Sequence, residues 1–113
     1  MGDFNALQRC DYRDEEWDAL VEKRRQAGIE SEVALMEKIE GDGYQDVRKG
    51  VGFIGKIGPT ATSVYGARVD YSFMNEAAMQ NFGVCRYEHV DTTLANRATD
   101  HCLIIADLFL KET

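Results

Sequence analysis

From Thr92 to Lys111 the chain contains neither proline nor glycine, and no other segment constrains the fold as much. Asp91 stands in front of it as an N-cap, so the pattern predicts one long helix over 92–111. At helical spacing its polar arc holds only Asn96, Asp100, Asp107 and Lys111, with Arg97 at the edge. Leucine, isoleucine, alanine, Cys102 and Phe109 fill the rest. A helix laid on a sheet needs an apolar stripe over roughly a third of its circumference. This stripe is much wider, so a second side must also be covered. Ala98, Cys102, Ile105 and Phe109 are expected to face the sheet, with Leu103 and Leu110 on one flank and Ile104 and Leu108 on the other. A neighbouring helix about 8–10 Å away covers one flank only. Ile104 and Leu108 are therefore the expected oligomer interface, unless a second N-terminal helix reaches them.

The N-terminal third reads as two helices. Trp17, Leu20, Val21 and Ala27 fall on one stripe behind Asp11 or Asp14 as cap, and Gly28 stops it. Ile29, Val33, Met36 and Ile39 renew the stripe up to Glu40, where Gly41-Asp42-Gly43 makes a turn. The period then changes to two, predicting strands near 44–49, 51–57 and 61–71, the last two joined as a hairpin by Gly58-Pro59. A short helix over 73–80, capped by Ser72 or Asn75, leads into a fourth strand from Val84 to Glu88. Helices at both ends of a run of strands predict an α+β fold. The expected form is an antiparallel sheet of about four strands, with the N-terminal helices and the long C-terminal helix packed mainly on one face. At 113 residues this is a single globular domain over 1–113.

Charge and cysteine usage narrow the function. The net charge is −7, and residues 1–46 hold thirteen acids against six bases while 47–113 hold seven of each. Nucleic-acid binding, which rests on neutralising phosphates, is not expected. Three cysteines, Cys10, Cys85 and Cys102, make an odd set without close spacing, which points to reduced thiols. The longest apolar run, Cys102 to Ala106, falls far short of the ~20 residues that span a bilayer. A soluble, cytoplasmic protein with no membrane partner is expected.

No catalytic or metal-binding signature emerges, and no cofactor is expected. Gly50-Val51-Gly52-Phe53-Ile54-Gly55 matches G-x-G-x-x-G, but Lys56-Ile57-Gly58-Pro59 after it cannot open the required helix. It reads as a glycine-loosened strand. Cys85 with His89, and His101 with Cys102, lack metal-ligand spacing. Ser63 with a histidine, or Cys85 with His89, would form a nucleophile and base only if the fold supplied the geometry. One pattern does suggest a surface. Alternation along the predicted strands gathers Arg48, Lys56, Arg68 and Arg86 on the sheet face away from the helices. Such a set is either a solvated, salt-bridged face or a seat for a small anionic ligand, since arginine grips phosphate and carboxylate with two donors.

Three readings of function follow. The first is a non-enzymatic binding or regulatory protein acting through its surfaces as a homo-oligomer. The second is a small-molecule module, enzymatic or not, that takes an anionic or phosphorylated ligand on the basic face. The third is an acidic decoy or immunity-type inhibitor of a basic protein.

Overall fold

The structure is a computed structural model that describes residues 1–49, 61–63, 66–90 and 99–112. Among these the chain forms β1 (Gly2–Asp3), a 3-10 turn (Arg9–Asp11), α1 (Asp14–Gln26), α2 (Ala34–Gly41), β2 (Gln45–Asp46), β3 (Asp70–Tyr71), β4 (Phe73–Met74), α3 (Glu76–Asn81), β5 (Phe82–Val90) and β6 (Leu103–Leu110). The strands pair antiparallel as three two-stranded sheets, β1 with β3, β2 with β4 and β5 with β6. The mixed α+β class therefore holds, whereas the single four-stranded sheet does not form among the described residues.

The helices follow local chemistry. At the start of α1 the Glu16 carboxylate reaches back to accept the Arg13 backbone N–H at 3.0 Å, so neither Asp11 nor Asp14 caps it. Acids in its first turn and Lys23, Arg24 and Arg25 in its last suit the helix dipole. The chain leaves α1 through Gly28 at φ +74° and α2 through Gly43 at φ +92°, a backbone region that favours glycine. Asn75 caps α3 by accepting the Ala78 N–H at 2.8 Å. No described helix is long and apolar enough to cross a membrane.

The largest correction concerns the C-terminus. Leu103–Leu110 is a strand, not part of a helix, and the segment 92–98 lies outside the described residues. Tyr87 opposes Ala106 and His89 opposes Ile104 in the β5–β6 ribbon, with an irregularity between Val84 and Arg86. Cross-strand partners share a face, so Tyr87, His89, Ile104 and Ala106 point one way. That face meets a core cluster of Val47, Met74 and Tyr87. Pairing with β5 resolves the difficulty of a helix apolar on nearly every side: the β-branched residues fit the pleat, and Asp107 finds Arg86 at 3.6 Å.

The N-terminal residues are also core, which the helical reading of this third did not anticipate. Ala6, Leu7 and Gln8 are buried, held by Leu7 N–H to Glu32 C=O at 2.7 Å and by Phe4 N–H to Val69 C=O at 2.9 Å. Leu7 packs with Leu20, Ala67 and Val69, and Ala6 packs with Met36 and Tyr71. Residues 61–71 are not one strand. Gly66, at φ +83°, turns the chain, and the Gly66 N–H bonds back to the Ser63 C=O at 3.2 Å. The strand expected over 51–57, its Gly58-Pro59 turn and the Gly50–Gly55 motif lie outside the described residues.

Candidate functional site

The turn at Gly66 changes the fate of the expected basic face. Arg68 is fully buried, and its Nη1 bonds both Asp11 oxygens at 3.1 and 3.2 Å while Nη2 bonds Asp46 at 2.7 Å. Its guanidinium lies 4.4 Å from the centre of the Tyr71 ring, and its backbone N–H donates to the Tyr12 hydroxyl at 2.9 Å. Burial works against the Arg68 charge, but the hydrogen bond and Coulombic pull of Asp46, with Asp11, outweigh it and hold its pKa above the ordinary value. Arg48 joins the same group by donating to Asp11 at 3.3 Å. Two arginines thus meet two buried carboxylates and their charges cancel. Burial raises the pKa of the neighbouring phenols Tyr12, Tyr71 and Tyr87, keeping them protonated.

Arg86 stands apart from this cluster. It is half exposed on β5, paired with Glu88 at 2.9 Å and with Asp107. Lys56 lies outside the described residues. Of the four predicted site residues the structure brings together Arg48 and Arg68, in the interior rather than on an open face. The alternation that placed Arg68 outward assumed an unbroken strand from 61 to 71.

A second cluster was not legible in the sequence. The β1–β3 register sets Asp3 opposite Asp70, and an isolated antiparallel bridge sets Ser63 opposite His101. His101 Nδ1 lies 2.7 Å from Asp70 Oδ2, while its Nε2 lies 3.8 Å from Asp3 Oδ2 and 3.9 Å from Asp100 Oδ1. The hydrogen bond to Asp70 raises the His101 pKa; partial burial opposes it and the three carboxylates reinforce it. Asp3, Lys23, Arg24, Ser63 and His101 line a cavity of about 210 Å³. No spacing rule marks these residues, because pairing of distant segments creates the group.

The two nucleophile–base pairings resolve differently. Ser63 does face His101, with Asp70 behind the imidazole, but its hydroxyl donates to the Ala67 C=O at 3.3 Å. His89 is buried and hydrogen-bonded to the Tyr87 hydroxyl at 2.9 Å, whereas Cys85 is exposed, its thiol directed to the Asp107 C=O.

The remaining feature is the far end of the ribbon. There Phe82 opposes Leu110, and Val84, which still packs against the Val47–Met74–Tyr87 cluster, opposes Leu108 on the face that carries Ile104 and Ala106. Phe82, Leu108, Phe109 and Leu110 are 38, 46, 50 and 70% exposed. Phe109 lies over Gly83 so closely that a Cβ there would fall 2.2 Å from the ring. Of the two residues expected on a helix flank, Ile104 packs against the core and Leu108 stands in solvent. Comparison with protein-family models, with curated proteins and with solved structures returns no match.

Proposed function

We propose that this chain is a non-enzymatic binding protein that works as a homodimer, its two copies joined along the outer edge of β6. The observation that carries this reading is the β6 strand itself. Among the described residues it hydrogen-bonds to β5 alone, and its distal end is apolar on both faces. Soluble proteins normally blunt such edges with lysine, proline or inward-pointing charge, because an open ladder recruits another strand. Between Ile104 and Leu110 the single charge is Asp107, which Arg86 already accompanies.

A second copy is the occupant that fits. Antiparallel pairing of β6 with its own symmetry mate is isologous, as a two-fold dimer requires. It would give a four-stranded sheet and cover Leu108, Phe109 and Leu110. The electrostatics also suit like meeting like, since the excess negative charge resides in residues 1–46 and the remainder of the chain is balanced.

Light scattering on the eluting peak tests the proposal. The native chain is expected at twice the mass of one chain, and the double variant Leu108→Lys/Leu110→Lys at the mass of one, with the urea midpoint that the native chain shows when diluted to monomer. A native protein that is monomeric at high micromolar concentration, or a double variant that still dimerises, overturns it.

A further inference from the structure

The cluster around His101 has the composition and geometry of a metal site. We infer that His101 Nε2 and the Asp3 carboxylate bind a divalent transition-metal ion such as zinc, with Asp100 beside them and Asp70 holding the imidazole from behind. Nitrogen and carboxylate donors bind zinc at about 2.0–2.2 Å in tetrahedral array, so two donors sharing one ion stand about 3.3–3.6 Å apart. Nε2 lies 3.8 Å from Asp3 Oδ2 and 3.9 Å from Asp100 Oδ1, a few tenths of an ångström wider, a gap that rotation of these exposed carboxylates closes. One ligand atom from each of Asp3, Asp70 and His101 falls within 4.8 Å of the others.

The contact at Nδ1 fixes the role of Nε2. Asp70 accepts the Nδ1 proton at 2.7 Å, so in the neutral imidazole the lone pair resides on Nε2, on the side of Asp3. A carboxylate behind a metal-binding histidine orients the ring and raises its basicity. The Asp3–Asp70 pairing of β1 with β3 and the Ser63–His101 bridge hold both residues on paired backbone.

Charge and space complete the case. Three carboxylates surround one imidazole, an excess of negative charge that a divalent cation neutralises. Asp3 and His101 open onto the 210 Å³ cavity, which leaves room for water or a small anion on the ion. Arg24, also lining that cavity, is 8% exposed, and its Nε finds no hydrogen-bond partner among the described residues. Positive charge on the wall of the same cavity suits an anion bound to the metal.

Calorimetric titration of the metal-free full chain with zinc ions tests the inference. One saturable site per chain is expected, weakened at least about tenfold in Asp3→Asn and in His101→Asn. Asp70→Asn is expected to weaken it by about 10–100-fold, as loss of an outer partner does. Asp3 is half exposed, so Asp3→Asn keeps the fold and serves where the histidine variant does not. Cys10 and Cys85 are exposed thiols, and Cys10→Ser/Cys85→Ser should bind zinc as the native chain does. Absence of saturable binding, binding unchanged in Asp3→Asn, or binding that depends on the two cysteines overturns the site.

Discussion

Ile104 and Leu108 lie on the same face of the same strand, four residues apart, and meet opposite surroundings. Ile104 packs beside Tyr87 against Val47 and Met74, whereas Leu108 is 46% exposed next to Val84. The inner half of the β5–β6 ribbon is held by burial and rests near an ionic cluster whose charges cancel. In the outer half Val84 still touches the core, but Leu108, Phe109 and Leu110 of β6 expose apolar side chains on both faces. The difference teaches that hydrophobicity along a strand does not by itself report burial. The length of the strand relative to the core beneath it decides where packing ends and an interaction surface begins.

Tyr87 of the inner half lies within electrostatic reach of the buried Arg68 cluster, and breaking that cluster should have the largest effect. Arg68→Gln leaves Asp11 and Asp46 buried without their main cation, and loss of one partner from such a group costs about 3–5 kcal/mol. Urea denaturation should record a loss of this size, together with weakened near-ultraviolet signal from the surrounding tyrosines. A loss below about 1 kcal/mol would show that the cluster does not anchor this half.

How far the sequence revealed this architecture depends on whether each signal was local. The glycine at 28, the Gly41-Asp42-Gly43 turn and the Asn75 cap act within a few residues, and the helices end or begin where they stand. β6 was not local. Leu103-Ile104-Ile105-Ala106 satisfies helical and strand patterns alike, and only the partner β5 chooses between them. Arg68 was placed by carrying strand parity through Gly66, where the chain in fact turns. The His101 cluster had no sequence signature, since His101 and Asp70 are 31 positions apart and Asp3 lies further still. Asp100 is the neighbour of His101 in sequence, but Asp3 and Asp70 meet the imidazole through β1–β3 pairing and the bridge at Ser63.

A smaller effect sharpens the contrast within the ribbon. Ile104→Ala should cost about 1–2 kcal/mol, less than the 2–5 kcal/mol typical of fully buried sites, because Ile104 is only partly covered. Leu108→Ala, measured on dilute monomer, should shift the same urea midpoint by no more than about 0.5 kcal/mol. Equal losses at the two positions would mean that the ribbon is covered evenly along its length.

The most direct test of the outer half as an interaction surface is amide hydrogen exchange of β6 at high and low protein concentration. In a monomer every second amide between Ile104 and Leu110, those not bonded to β5, has no strand partner among the described residues and should exchange at a rate independent of concentration. Edge-to-edge pairing of two copies predicts that these amides slow as concentration rises, while the amides bonded to β5 change less. Exchange of the outward-facing amides that does not change with concentration would contradict pairing along β6.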